Sequence, residues 1–285
     1  MMLVAGGTGR LGAQVVAGLL AGGHEVRVLA RGKRPPPAEI TGAQLIAGSV
    51  SDPAVVARAV EGVEVVVSTV TGFPFVSPTR VDLQGTRVLA DAAGRAGADL
   101  VLVSVAGASP DSRVGLFRAK YQAEQVLRRS NLGWTIIRPE AFADLWVDLL
   151  TTTAGGSHRP LVFGRGNNPI GWVAVRDVSA LTVRAVQSAS LRQKTLTISG
   201  PQRLTLTELA SRVMAVHGWS GDPRHVPTGA LRLASMLPGR PGRQAEAALA
   251  MDVMAPAHDD ARREVAHLPC TPVETVLASD HAGSV

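Results

Sequence analysis

The sequence predicts an α/β protein, a doubly wound parallel sheet with a small C-terminal substrate lobe. From Met2 to about Arg138, short Val/Leu-rich runs alternate with longer segments of helical period, the pattern of parallel strands joined by crossover helices. A glycine-rich turn, Gly6-Gly7-Thr8-Gly9-Arg10-Leu11-Gly12, joins the first run to the first helical segment. At 285 residues, 46% of them apolar and 18% charged, the chain can bury a large core, which excludes a disordered tail or a small stapled scaffold.

Candidate strands lie at 2–6, 25–30, 43–47, 63–69, 99–104 and 134–138, with helices between them near 10–22, 53–60, 80–96 and 115–130. Gly22-Gly23 closes the first helix, and Asp52-Pro53 opens the second with a capping side chain and a proline at the first helical position. Past Pro139 the order loosens. Short strands are expected near 161–163, 170–174 and 194–198, and helices near 177–189 and 205–217, the latter opened by the capping box Thr205-x-x-Glu208. The Pro-, Gly- and Arg-rich tract from Asp222 to Arg243 reads as exposed connections. The expected division is a nucleotide-binding domain over 1–150 and a small substrate-binding lobe over 151–285, partly interleaved with the sheet.

Cys270 is the sole cysteine, so no internal disulfide holds the fold, and no Cys/His spacing suits a metal. The chain starts as a strand without a basic leader, and its uncharged stretches are too short to cross a bilayer. A cytoplasmic protein, monomeric or homodimeric, is expected. The net charge of +6 comes from 26 Arg and 3 Lys scattered singly, without a helix-turn-helix or a basic stripe, so neither a nucleic-acid nor a membrane partner is expected.

The glycine turn follows a strand and opens a helix, the context a dinucleotide fingerprint requires. Gly6, Gly9 and Gly12 permit a tight turn, close approach to a pyrophosphate and close helix packing, while the helix amino terminus offers free N–H groups to phosphates. Where an acid would accept from a ribose 2′-hydroxyl, the chain has Arg31, followed by Lys33 and Arg34. Cations there favour a 2′-phosphate, hence NADP(H) over NAD(H). The competing account is a generic basic turn beside Pro35-Pro36-Pro37.

With GGTGRLG, VLARGK, GSVSDP, VVVSTV, RVDLQGTRVLADAAGRAG and WTIIRPEAF, and later WVAVRDVSAL and LTISGPQRLTLTELA, the chain resembles the NmrA-like branch of the atypical short-chain dehydrogenase/reductase family over at least residues 1–200. The resemblance implies a Rossmann-type domain with NADP(H) across the carboxyl ends of the strands. It implies pyrophosphate contacts at Thr8, Gly9, Arg10 and Leu11, the 2′-phosphate on Arg31, the adenine edge near Ser49 and Val50, and the nicotinamide ribose near Thr69 and Val70. Ser49 stands where that branch often has Asp, which implies weaker adenine recognition or recognition by backbone alone.

The wider family pairs a catalytic Tyr with a Lys four residues on. Lys120 stands at the lysine position, but Leu116 replaces the tyrosine, and Tyr121 lies about 100° round the helix. On its own helix, Lys120 falls within the apolar stripe of Leu116, Ala119, Ala123, Val126 and Leu127, where burial costs free energy unless a polar partner such as a ribose hydroxyl is present. The alternative is an ordinary surface pair with Glu124. Ser104, at the end of the fifth strand, is implied near the reacting carbonyl; a structural serine bonded to backbone is the competing account.

Loops beyond the strand ends should line the substrate site, and they hold Phe73, Phe75, Phe142 and Trp146, with Trp172, Asp144, Asp148 and His158 nearby. These rings suit a planar aromatic or conjugated substrate, or they fill the core beneath the lobe. Without the tyrosine, an alkoxide product lacks its acid, whereas a quinone or enone gives a delocalised anion that water or a lysine can protonate. The expected function is therefore an NADPH-dependent oxidoreductase of a quinone, enone or related aromatic carbonyl, with Lys120 and Ser104 as its catalytic residues. The alternative is a non-catalytic NADP(H)-binding redox sensor, and a sugar-nucleotide epimerase or dehydratase is disfavoured because those reactions lean on the missing phenol.

Overall fold

A computed structural model describes residues 1–32 and 35–282. The strands are β1 (Met2–Ala5), β2 (Val26–Ala30), β3 (Gln44–Ala47), β4 (Val65–Ser68), β5 (Asp99–Val103) and β6 (Trp134–Pro139). Between them run α1 (Arg10–Ala21), α2 (Pro53–Val60), α3 (Gly85–Ala96) and α4 (Gly115–Arg128). The terminal half contains α5 (Ala143–Ala154), β7 (Leu161–Phe163), β8 (Ile170–Gly171), α6 (Val175–Gln187), β9 (Lys194–Ile198), β10 (Arg203–Leu204), α7 (Leu206–Val216), β11 (Arg224–Val226), α8 (Thr228–Ser235), α9 (Arg240–Met251), α10 (Ala261–Glu264) and α11 (Val273–Ala282).

Seven strands form one parallel sheet in the order β3-β2-β1-β4-β5-β6-β9. The order reverses between β1 and β4, the switch point at which an open sheet leaves a crevice at its carboxyl edge. Valine-rich strands such as β4 are buried along their whole length because helices cover both faces. On one face α1 and α6 pack through Val15, Leu19, Val178 and Leu181. On the other, α2, α3 and α4 contribute Val56, Leu89, Ala123 and Leu127.

The predicted strands and helices of the first 138 residues all form, with ends within two residues of expectation except the start of α3, five residues later at Gly85. Helix α3 is preceded by a π-helical stretch, Thr79–Gln84. Asp52 caps α2 through Oδ1, accepting from Ala54 N at 3.0 Å and Val55 N at 3.3 Å.

The terminal half is better ordered than its composition suggests. The expected loop over 222–243 instead contains β11, α8 and the start of α9, and α5, α10 and α11 were also not anticipated. The apolar stripes of α8 and α9 are short and broken by Gly, Pro and Arg. A separate lobe core gathers α5, α7 and α11 around Trp172, Leu150 and Leu209. Strand β9 adds to the main sheet, α6 packs against it, and α5 spans residue 150. Among the described residues, no helix is long and apolar enough to cross a membrane.

Candidate active site

The phosphate loop is built on glycine. Gly6 has φ +85°, and a Cβ on Gly12 would lie 2.2 Å from Gly6 O, so α1 can pack this tightly only without a side chain there. Gly9 N donates to Gly6 O at 3.0 Å, closing the turn. No side chain caps α1 and no acid occupies its first turn, which leaves the amino-terminal N–H groups and the positive dipole end available for phosphates. Residues present therefore fit a dinucleotide diphosphate. Thr8 is half-buried, Leu11 packs against the main core, and the Arg10 guanidinium is held by Asp148 on α5.

Thr69 and Val70 stand beside this loop. Thr69 Oγ1 donates to Ala5 O at 3.1 Å, and both residues border Gly6. Arg31, at the end of β2, is exposed and has no acidic partner among the described residues; Lys33 and Arg34 lie outside the described residues. Val50 is buried against Gly85, whose lack of a side chain lets α3 approach the loop after β3, while Ser49 is exposed.

Lys120 is 5% exposed, as its place in the stripe implied, and it does not pair with Glu124. Its Nζ pairs with Asp82 Oδ1 at 3.0 Å and donates to Val70 O at 3.0 Å and Val103 O at 2.9 Å. Two of its three protons go to main-chain carbonyls, and the Asp82 carboxylate supplies the counter-charge. Asp82 Oδ2 in turn accepts Gly72 N–H at 2.9 Å. One buried pair thus fastens the loop after β4, the end of β5, α4 and the π-helical stretch to one another.

Ser104 is also buried, but bonded to a carboxylate rather than to backbone. Its Oγ donates to Glu124 Oε1 at 2.6 Å. Glu124, fully buried, additionally accepts from Arg138 Nε at 2.8 Å and Nη2 at 2.5 Å. This hydrogen bonding holds the Arg138 guanidinium above its usual value, against the opposing effect of burial. Asp82 and Arg138 were missed from the sequence. The available signal for Asp82 was an acid in the stripe that continues through Thr86, Leu89 and Ala93.

The four aromatic candidates separate into two pairs. Phe73 is half-buried on the loop after β4, and Phe75 is exposed with the Arg240 guanidinium 4.5 Å from its ring centre. Phe142 packs on the main core, and Trp146 lies edge-on to Trp172 at 5.7 Å and Phe163 at 6.3 Å within the lobe. The latter two fill the packing beneath the lobe rather than a slot. Asp144 accepts Val175 N–H at 2.8 Å, and His158 stacks on Trp219.

The family profile described as NAD(P)H-binding matches residues 6–189. The chain belongs to that family. Among curated relatives, it is 32% identical over 222 residues to a (4-alkanoyl-5-oxo-2,5-dihydrofuran-3-yl)methyl phosphate reductase of Streptomyces griseus, covering 76% of this chain and 74% of the relative. It is 30% identical to an NAD(P)H azoreductase of Xenophilus azovorans over the same shares of the two chains. It is 26% identical to the photosystem II assembly factor Ycf39 of Trieres chinensis, over 84% and 76%. A solved NADPH-dependent quinone oxidoreductase of Escherichia coli shares the fold at TM-score 0.80 and 18% identity, covering 99% of this chain and all of that one. The family relationship makes this chain an NAD(P)H-dependent reductase relative, in keeping with the resemblance drawn from its motifs.

Proposed function

We propose that the protein is an NADPH-dependent reductase of a conjugated carbonyl compound, a quinone or an enone, acting in the cytoplasm as a monomer or homodimer. The observation that carries this reading is the committed hydrogen bonding at the strand ends. Lys120 donates to two main-chain carbonyls and is paired with Asp82, and the Ser104 hydroxyl donates to Glu124. Leu116 occupies the position of the phenol. Strong general acids are therefore lacking among these side chains, and the substrate must tolerate that.

NADPH supplies a hydride when bound. In a conjugated acceptor the electron pair displaced from the carbon–carbon double bond moves to the carbonyl oxygen, and the enolate then takes a proton from solvent, giving the saturated carbonyl and NADP+. The chain's part is to hold and orient. Backbone N–H groups of the glycine loop take the diphosphate, Arg31 takes the 2′-phosphate with Lys33 following it in sequence, and Thr69 and Val70 border the nicotinamide ribose. Lys120 acts as a positioning residue, because it fixes the carbonyl of Val70 and the end of β5 rather than touching the reacting atoms. The reductase of S. griseus supports this substrate class, since its named substrate is a conjugated lactone.

The test is oxidation of NADPH by purified protein over quinones, enones and azo compounds, alongside calorimetry with both coenzymes. Turnover of conjugated acceptors but not of simple ketones is the expected result, with Arg31→Asp reversing the preference for NADPH. Tight NADP(H) binding without turnover would instead establish the second reading, a non-catalytic redox sensor. The similarity to an assembly factor favours that alternative.

A further inference from the structure

A cleft of about 830 Å³ opens between the loop after β5 and the lobe helices α8 and α9. It lies over the carboxyl edge of the sheet, for α9 is tied to both neighbouring loops. Arg243 Nε donates to Pro74 O at 3.0 Å, and Gly115 N donates to Glu246 Oε1 at 3.2 Å. None of the four predicted aromatic residues lines it. Its walls are aliphatic, through Val114, Met236, Leu249 and Val253, and three arginines, Arg113, Arg165 and Arg232, face it together.

The charges in this cleft are unevenly matched. Its two acids are occupied: Asp252 accepts from Arg165 N at 3.0 Å and Gly166 N at 3.2 Å and lies 3.5 Å from the Arg165 guanidinium, while Glu246 binds the first turn of α4. Arg113 and Arg232 are exposed and have no hydrogen-bond or ion-pair acceptor among the described residues. Two unmatched guanidiniums beside an aliphatic wall suit a ligand with a doubly charged head and an apolar body. A phosphate monoester carries nearly two negative charges at neutral pH and offers several acceptor oxygens for forked N–H donors.

We propose that this cleft is the substrate's anion subsite, and that the preferred acceptor is a conjugated carbonyl compound bearing a phosphomonoester, gripped by Arg113 and Arg232 with its apolar part against Met236, Leu249 and Val253. This inference rests on the reductase reading. Its test uses one matched pair of probes, 3-(hydroxymethyl)cyclopent-2-enone and the phosphate monoester of that alcohol. Binding to NADP+-saturated protein is measured by calorimetry, and kcat/KM is measured with NADPH. The ester should bind, and turn over, at least ten-fold better than the alcohol. In Arg113→Gln combined with Arg232→Gln the ratio should fall to within about two-fold. Both side chains are exposed, and the melting temperature confirms that the variant is folded. A binding preference that depends on these arginines, without turnover of either probe, would sink the reductase reading and leave the subsite standing. Equal binding of ester and alcohol, no binding of either, or a preference that survives the double substitution would overturn the subsite. A carboxymethyl analogue separates phosphate from general anion recognition: binding as tight as the ester's would overturn the phosphate assignment.

Discussion

One helical turn apart on α4, Lys120 and Glu124 carry opposite charges into the same buried region, yet they serve different parts of the molecule. Lys120 reaches the loops at the strand ends through Asp82, Val70 and Val103, whereas Glu124 gathers Ser104 and Arg138 along the sheet. The spacing alone suggested a mutual surface pair. Burial changes the outcome, because a desolvated charge needs all its hydrogen-bond capacity met, and a single partner one turn away cannot meet it. The Lys120 network secures the loops at the strand ends. The Glu124 network secures β6 against α4.

Were both networks equally important for function, substitutions in either would weaken NADPH binding alike. Lys120→Met should produce the largest effect, since it strands the Asp82 carboxylate: about 3–5 kcal/mol in denaturant unfolding, with weakened NADPH affinity measured by calorimetry. Glu124→Gln should cost less, about 1.5–3 kcal/mol, and leave the NADPH dissociation constant within two-fold. Joining Lys120→Met to Asp82→Leu sharpens the contrast. Stability should return to within about 1 kcal/mol of wild type, because an apolar pair replaces an ion pair, but NADPH affinity should stay low.

The smallest effect lies outside both networks. Thr205→Ala removes the capping box of α7, in which Thr205 N donates to Glu208 Oε2 at 2.7 Å and Glu208 N donates to Thr205 Oγ1 at 3.1 Å. It should cost about 0.5–1 kcal/mol. The Thr205 N–H and hydroxyl hold the Glu208 carboxyl below its usual value of 4.5. A carboxyl depressed in the folded state stabilises above its unfolded pKa, and that contribution is lost as pH falls through the folded value. The difference between variant and wild type should thus narrow below about pH 4.5, seen as converging melting temperatures, with NADPH binding untouched.

The nucleotide half was readable because its signals are local. Valine runs, the Gly6–Gly12 turn and the Asp52-Pro53 cap each specify geometry within a few residues. Partners distant in sequence were not readable in this way. Asp82 meets Lys120 across 38 positions, and nothing near either residue names the other. Trp146 looked like a pocket wall, but edge-on packing with Trp172 depends on how α5 folds over β8, which no short window encodes. In the lobe, α8 and α9 bury little beyond Leu231, Ala245 and Ala248, so their apolar stripes are narrow and easily mistaken for loop.

Arg10 begins α1 at the lip of the glycine turn, yet its guanidinium is leashed to Asp148. In the proposed complex the diphosphate would be left to main-chain amides, which neither gain nor lose protons across the physiological range. The proposed grip on the coenzyme's middle would then be indifferent to acidity, unlike one made by a titrating side chain.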